Sequence, residues 1–348
     1  MPFEVLTWRP ESRSDEVECG EFDAEAGLPI RRMLPRGDLS ATLEACAAYR
    51  APFRIDVVYT SQMTLATAFD TPVVARTAAN DFLRPWIGDA AHAREGALRC
   101  RHVVCNSRWT AARLAEFAPG TVTSVLLGGV DTERFQPFPM GDARRVLGWN
   151  GADRLLFLAG RHVLKKGIDT AIRAVALLRD PLLRLVLAGT GPETPAMQRL
   201  AIELGVCDRV DFIGMIPHDL MPLYLNAASL VLFPSRDAFD PGRGAVDYES
   251  MGRLPCEAAA CGKVVVAANT GGVAEVVLDG ATGLLVAPND VESLATAVRR
   301  LVTEPELCAR LGVNARDRAV REFSFDRINR ETMRILDQPV TADAVTVD

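Results

Sequence analysis

From residue 154 onward the chain alternates short apolar runs with longer segments of helical periodicity. The apolar runs have the length and continuity of strands that are buried on both faces of a parallel sheet. The predicted strands are residues 154–159, 183–188, 210–213, 230–233, 264–268 and 284–286. The predicted helices are residues 168–178, 193–204, 219–227 and 291–302. This order of strands and helices predicts a doubly wound α/β sheet.

The first half of the chain is shorter and less regular, and we expect a second α/β sheet there. Its predicted strands are residues 3–7, 54–59, 72–75, 102–106 and 122–126, with helices at 39–49 and 108–117. Pro137 and Pro139 disfavour helix and stiffen the chain, which places a linker beside them. We therefore predict an N-terminal domain at 1–135, a C-terminal domain at 136–323 and a last segment at 324–348. A cleft between two such sheets is the usual place for a ligand.

Composition narrows the class of protein. The 348 residues are 49% hydrophobic and 24% charged, and no apolar run approaches the length of a membrane span. The formal net charge of −6 argues against nucleic acid as a partner. No basic segment followed by an apolar core opens the chain, and the eight cysteines show no zinc-ligand spacing, so we expect a cytoplasmic protein with reduced thiols. The sequence gives no indication of oligomeric state.

The most informative window surrounds Glu249 and Glu257, with Gly252 between them. Pro255 is tolerated only in the first turn of a helix and Gly262 is a natural stop, so we expect a helix at 255–261. Unpaired amides at a helix start attract phosphate, and glycine lets the backbone approach a ligand closely. Carboxylates suit sugar hydroxyls better than phosphate. These groups indicate a ligand that is part phosphate and part polyol.

This window resembles the signature of the family 4 retaining glycosyltransferases, which have the GT-B fold: two Rossmann-like, doubly wound domains that face a cleft. The resemblance is specific because it continues in order from about residue 155 to residue 298. Its further elements are Gly160-Arg161 with Lys166-Gly167, then residues 188–193, 212–214, 233–235, 261–263, 270–275 and 280–286. The resemblance also implies that a last helix, at 325–336, crosses back to the N-terminal domain.

The resemblance assigns roles to individual residues. Arg161 and Lys166 would hold the donor diphosphate, whose charge grows as it leaves. Glu249 would act on the reacting sugar and Glu257 on the ribose hydroxyls. The backbone amides of Gly252, Arg253 and Leu254 would face the phosphate, while Gly189 and Ile216 would line the donor site, the latter near the base. His162 and Lys165 are interpreted as loop residues, and Gly189 is equally consistent with a plain strand-to-helix turn.

The acceptor side departs from the family pattern. Asn80 and Asp81 follow a predicted strand where family members often contact sugar and acceptor, although a helix cap explains Asp81 equally well. The glycine-rich loop that many members have after the first strand is missing from residues 8–23. An extra stretch, 236–248, separates Ser235 from Glu249 and contains Asp237, Asp240 and Asp247, so the reacting acid could lie there instead.

The sequence therefore predicts a retaining hexosyltransferase that uses a nucleotide-diphosphate sugar, with UDP-sugar favoured over GDP-mannose. No Asp-x-Asp pair stands near a strand end, so we expect no metal and no other cofactor. The helix at 39–49 has no basic residue, which favours a small polar acceptor (a sugar, a cyclitol or a secondary metabolite) over a membrane lipid. A sugar-nucleotide epimerase or hydrolase and a non-catalytic partner subunit remain alternatives. A nicotinamide dehydrogenase is disfavoured, because no G-x-G-x-x-G follows the first strand.

Overall fold

The computed structural model describes residues 5–8, 30–34, 38–51, 54–83, 88–149, 154–241 and 244–338. The chain divides into two compact units. The N-terminal unit comprises Met1–Cys105, Ala111–Val125 and Arg334–Asp348, and the C-terminal unit comprises Asn106–Thr110 and Leu126–Met333. The division after Val125 precedes the boundary predicted at residue 135. Most of the segment 8–23, where the family loop is missing, lies outside the described residues.

Within its described residues, the N-terminal unit contains six parallel strands in two sheets. The strands β1 (Val5–Trp8) and β2 (Ile30–Leu34) pair with each other, and the remaining four form a sheet of order β3-β4-β5-β6. These four are β3 (Val58–Thr60), β4 (Val73–Thr77), β5 (His102–Cys105) and β6 (Thr123–Val125). Its helices are Leu39–Ala48, Met63–Ala68 (a 3-10 helix), Ala79–Leu83, Ala90–Arg99 and the larger part of Arg108–Phe117. This unit is α/β, as predicted.

The C-terminal unit is built on a six-stranded parallel sheet. Its strands are β7 (Arg154–Ala159), β8 (Leu183–Ala188), β9 (Val210–Gly214), β10 (Leu230–Phe233), β13 (Val265–Ala268) and β14 (Gly283–Val286). Between β10 and β13 the chain forms an antiparallel hairpin of β11 (Ala238–Asp240) and β12 (Ala245–Asp247). The sheet order is β14-β13-β10-β7-β8-β9, which is the doubly wound arrangement that the sequence predicts.

Helices connect these strands. The α-helices are Met140–Leu147, Ile168–Leu178, Thr194–Glu203, Met221–Ala227, Arg253–Ala260, Val273–Val276, Val291–Thr303 and Pro305–Arg318; Leu164–Lys166 and His218–Leu220 are 3-10 turns, Ala319–Phe323 is a π-helix, and Phe325–Asp337 is the last helix. The helix predicted at 255–261 begins earlier, at Arg253. Within the described residues, no helix combines the length and the apolar character that crossing a membrane requires.

Alternate residues of each central strand face opposite sides of the sheet, and both sides are buried. Leu156 and Leu158 of β7 pack with the helices Ile168–Leu178 and Val291–Thr303. Leu155 and Phe157 pack on the other side with the helix Arg253–Ala260. Burial on both faces explains why these strands are continuous apolar runs. It also holds the loops at the carboxyl ends of the strands on a rigid base.

Candidate functional site

The candidate site lies at the carboxyl ends of β7 and β10, which are neighbours at the centre of the C-terminal sheet. From β7 the chain continues to β8 on one side, and from β10 it continues to β13 on the other. Such a reversal opens a space between the two outgoing loops, where open α/β sheets bind ligands. The loop after β7 carries Arg161 and Lys166, and the segment after β10 leads to Glu249. The sheet thus places both sequence-predicted groups at one point.

Lys166 and Glu249 form an ion pair. The distance from Lys166 Nζ to Glu249 Oε2 is 2.6 Å, and the two side chains are 19% and 9% exposed. The Lys166 ammonium also lies 5.0 Å from the centre of the Phe233 ring. Low exposure limits the screening of this pair by solvent. A compact cation and an acid therefore meet at the reversal point of the sheet.

The main chain of Glu249 is held by a later loop. A Cβ atom added at Gly271 would lie 1.7 Å from Glu249 O, so the two backbones touch at a position that only glycine allows. On the next residue, Ser250 Oγ accepts a hydrogen bond from Asn106 Nδ2 at 3.0 Å. Glu249 is thus positioned by its backbone as well as by Lys166.

The helix Arg253–Ala260 begins directly after this segment. Its N-cap residue, Gly252, has φ +85° and no side-chain cap, and a Cβ there would lie 2.5 Å from Phe233 Cζ. Leu254 is buried and Arg253 is exposed. The first turn of a helix has amides without intrahelical partners and carries partial positive charge. This end of the helix can therefore receive an anion.

Glu257 is buried within the same helix, with its side chain 8% exposed. Its Oε1 lies 3.1 Å from His218 Nε2 and accepts a hydrogen bond from Arg253 Nη2 at 3.4 Å. His218 was not predicted as a site residue. Its position two residues after Ile216, which was predicted to lie near the base, was the signal that could have found it.

The other predicted donor-site residues lie in adjacent loops. Arg161 is exposed, and its guanidinium has no hydrogen bond or ion pair with another residue in the described ranges. Gly189 follows β8 and donates its amide hydrogen to Gly214 O at 2.6 Å. The Ile216 side chain is partly buried and packs against the core.

His162 is a core residue of the β7 loop. Its side chain is buried, its Nδ1 lies 2.8 Å from Thr194 Oγ1, and burial lowers its pKa. Its position is that of a loop residue, as the sequence analysis interpreted it.

The extra stretch before Glu249 is the hairpin β11–β12, and its acids have partners of their own. Asp237 Oδ1 accepts a hydrogen bond from Thr270 Oγ1 at 3.1 Å. Asp247 Oδ1 pairs with Lys165 Nζ at 2.8 Å. The sequence analysis interpreted Lys165 only as a loop residue and missed this pair. Two adjacent lysines and two acids separated by one residue were the signal that could have found it.

Asn80 and Asp81 belong to the N-terminal unit. Asp81 Oδ2 accepts hydrogen bonds from Ala78 N at 2.7 Å and from Thr77 Oγ1 at 3.4 Å. Burial raises the pKa of Asp81, and these hydrogen bonds oppose the rise. The carboxylate therefore caps the helix Ala79–Leu83, and its contact with an acceptor stays a prediction, as does that of Asn80. Across the described ranges, no group of three or more His, Cys, Asp or Glu residues is arranged to hold a metal ion.

The amino ends of the C-terminal sheet bury the third lysine of the chain. Lys263 Nζ donates to Asn226 O at 2.8 Å and to Ala228 O at 3.1 Å, and burial lowers its pKa to about 8. A cavity of about 340 Å³ beside it is lined mainly by apolar side chains, among them Leu230 and Leu301. This cavity is at the opposite end of the sheet from Glu249, and none of the predicted site residues lines it.

Comparison with known proteins shows the family. The family described as "Glycosyl transferases group 1" matches residues 140–318, just over half of the chain, and the protein therefore belongs to it. The solved structure of Anabaena Alr3699/HepE in complex with UDP superposes with a TM-score of 0.78, covering 97% of this chain and 99% of that chain at 21% identity. This likeness confirms the predicted GT-B fold class.

Two curated relatives have higher sequence identity, over a shorter part of the chain. The GDP-mannose-dependent alpha-(1-6)-phosphatidylinositol monomannoside mannosyltransferase of Mycolicibacterium smegmatis is 39% identical over 224 residues, 63% of this chain and 57% of the relative. The D-inositol 3-phosphate glycosyltransferase of Saccharomonospora viridis is 37% identical over 242 residues, 66% of this chain and 53% of the relative. The matched region thus spans little more than half the length of these relatives.

Proposed function

We propose that the protein is a retaining glycosyltransferase that moves a hexosyl group from a nucleoside diphosphate sugar to a hydroxyl group of a polyol acceptor. The observation that carries the proposal is the partly buried Lys166–Glu249 ion pair at the reversal point of the C-terminal sheet. The pair lies beside the uncapped start of the helix Arg253–Ala260. A cation, an acid and a helix start are the groups that a diphosphate joined to a sugar requires.

The diphosphate would be bound by charges that the chain supplies. Arg161 is exposed at the loop after β7, and Lys166 stands on the same loop. The amides of Gly252, Arg253 and Leu254 would complete the site at the helix start. Groups that face developing charge in this way typically contribute about 2–4 kcal/mol each to the transition state. Because these groups supply positive charge, we propose that the reaction needs no metal.

The two glutamates would bind different parts of the donor. Glu249 would stabilise the positive charge that develops at the anomeric carbon, or hold hydroxyls of the reacting sugar. Glu257, whose Oε1 already contacts His218 and Arg253, would hold the ribose hydroxyls. In a front-face reaction the leaving diphosphate oxygen takes the proton of the acceptor hydroxyl as the new glycosidic bond forms. This arrangement retains the anomeric configuration.

Our proposals for the donor base and for the acceptor rest on the names of the relatives. The name of the Mycolicibacterium smegmatis relative includes GDP-mannose, which supports GDP-mannose as the first donor to test, ahead of the UDP-sugar that the sequence analysis favours. Both relatives are named for acceptors that contain inositol. We therefore propose an inositol-containing acceptor, which is one of the cyclitols that the sequence analysis considers.

A screen of donors tests the proposal. GDP-mannose and a panel of UDP- and ADP-sugars are added to the full chain, and a rise in melting temperature reports binding. The donors that bind are then incubated with and without inositol or inositol 3-phosphate, in buffer with and without EDTA. We expect transfer with one donor class, insensitive to EDTA. Donor consumption without acceptor would indicate an epimerase or hydrolase, and binding without turnover a non-catalytic subunit.

A further inference from the structure

Two adjacent lysines of the β7 loop face two acids of the segment after the hairpin. Lys165 pairs with Asp247 and Lys166 pairs with Glu249, at 2.8 Å and 2.6 Å. All four side chains are less than one-fifth exposed. The two ion pairs therefore lie side by side, and only the second includes residues to which the proposed function assigns a role.

Lys165 holds both ends of the hairpin. Its carbonyl oxygen accepts the amide hydrogen of Arg236, two residues before the hairpin, at 2.8 Å. Its ammonium donates to Asp247 Oδ1 at 2.8 Å and to Tyr248 O at 3.2 Å, where the hairpin ends. Lys165 thus bonds the chain both before and after the insertion.

The hairpin itself is too small to fix its own position. It has three residue pairs, Ala238↔Asp247, Phe239↔Val246 and Asp240↔Ala245. An isolated two-stranded hairpin is marginally stable in water, so its placement depends on outside contacts. One such contact at its exit end is the Lys165–Asp247 pair, two residues before Glu249. A shift of Asp247 would therefore move Glu249 relative to Lys166.

The bonding of the two lysines also separates their roles. Lys165 uses two of its three ammonium hydrogens on Asp247 and Tyr248. Lys166 donates one hydrogen bond, to Glu249, and lies over the Phe233 ring. Lys166 therefore has more donor capacity left for an arriving anion than Lys165 has.

We propose that Lys165 and Asp247 form a positioning pair, which holds the acid-bearing segment in register against the β7 loop so that Lys166 and Glu249 meet at the reacting diphosphate sugar. This inference rests on the proposed function. Lys165 is accordingly not a ligand of the diphosphate. The insertion, which departs from the family pattern, supplies the second member of the pair.

The test compares Lys165→Met, Asp247→Asn, the double variant and Lys165→Arg in the full chain. We expect each single loss to lower kcat about tenfold, with donor KM and calorimetric affinity for the nucleoside diphosphate within about threefold of wild type. The double variant is expected to be no worse than either single variant, because the pair acts as a unit. Lys165→Arg, which keeps a cation with several donors, is expected to recover kcat to within about threefold. Asp211→Asn, which removes the Arg184–Asp211 ion pair elsewhere in the unit, is the matched control.

Several outcomes would overturn the inference. A tenfold loss of nucleoside diphosphate affinity in Lys165→Met with unchanged kcat would make Lys165 a ligand. Multiplicative losses in the double variant, or losses of kcat equal to those of Asp211→Asn, would show that no positioning unit exists.

Amide hydrogen exchange of the peptide that contains residues 245–252 decides the inference even if wild type turns over no donor. We expect faster exchange in Lys165→Met and Asp247→Asn, and slower exchange restored in Lys165→Arg. Unchanged exchange in Lys165→Met and Asp247→Asn would contradict the inference. Failure of wild type to bind any nucleotide would instead count against the proposed function. Should Lys165→Met not fold, Asp247→Asn, which is closer to isosteric, carries the comparison.

Discussion

The two ends of the C-terminal sheet each bury a lysine, but they neutralise it differently. At the carboxyl ends, Lys166 faces the carboxylate of Glu249 at 2.6 Å. At the amino ends, Lys263 is held by the carbonyl oxygens of Asn226 and Ala228. A carboxylate supplies a full opposite charge, whereas carbonyls supply only dipoles. Burial therefore dominates at Lys263 and lowers its pKa to about 8.

This difference distinguishes a lysine whose partner a ligand can replace from a lysine whose partners belong to the backbone. The partner of Lys166 is an ionic side chain, which an anionic ligand can compete with. The partners of Lys263 are backbone groups near the end of the helix Met221–Ala227, and a ligand cannot replace them without disturbing that helix. The chain contains three lysines, and the third, Lys165, resembles Lys166 in having a carboxylate partner.

The largest expected effect concerns the acids at the carboxyl end. Glu249→Gln is expected to lower kcat by about 10² or more with a modest change in donor affinity, because its charge matters most as positive charge builds on the sugar. Glu257→Gln is expected mainly to raise donor KM, because it binds a part of the donor that does not react. Steady-state kinetics with the donor found in the screen measures both. Circular dichroism verifies that both variants are folded.

Near-full turnover in Glu249→Gln would refute this assignment, above all if Asp237→Asn or Asp247→Asn abolished turnover. The acid would then be supplied by the hairpin. The tenfold loss expected for Asp247→Asn as a positioning residue is distinguishable from abolition.

The second-largest expected effect is on the free energy of unfolding, and it compares the loss of Lys166 with the loss of Lys263. Lys166→Met leaves Glu249 nearly buried without its cation, and we expect the free energy of unfolding to fall by about 2 kcal/mol. Lys263→Met leaves two carbonyls without a donor but also removes a costly buried ammonium, and we expect a loss of about 1 kcal/mol or less. Urea unfolding at neutral pH measures both. Restoration of most of the loss in Lys166→Met/Glu249→Gln is the control, and equal losses at the two ends would contradict the comparison.

The smallest effect is a pH dependence at the amino end. The pKa of Lys263 is lowered from 10.5 to about 8, so between these values the unfolded chain binds the proton that the folded chain has released. Stability contributed by this group therefore rises with pH across that window. We expect the free energy of unfolding of wild type, relative to Lys263→Met, to increase by about 1 kcal/mol between about pH 7.5 and about pH 9. Parallel pH profiles for the two proteins would contradict the lowered pKa.

The C-terminal sheet was largely predictable because burial on both faces leaves a clear pattern. The predicted strands 154–159, 183–188 and 230–233 coincide with β7, β8 and β10. The helix Ala90–Arg99 was missed because tertiary contact defines it: a Cβ at Gly96 would lie 2.0 Å from Met63 O. The helix Met140–Leu147 was missed because the preceding prolines were interpreted as a linker.

The candidate site was predictable as separate groups but not as a contact network. Glycine, lysine and glutamate at family positions identify Lys166 and Glu249, yet the bond between them joins residues 83 positions apart. The hairpin β11–β12 has short strands of mixed polarity that make contacts far along the chain, such as the one with Lys165, so no local pattern predicts it. His218 likewise acquires its partner, Glu257, only through tertiary packing, because the two residues are 39 positions apart.

The contact between Gly271 and Glu249 limits how this sequence can change over time. A side chain at residue 271 would collide with the carbonyl oxygen of Glu249. Glycine must therefore be retained at residue 271 as long as the backbone of Glu249 keeps its position. The two positions are therefore expected to be epistatic: a substitution at 271 is tolerated only with a compensating change in the chain around 249. A library of variants of this chain should therefore leave Gly271 unchanged wherever Glu249 is kept.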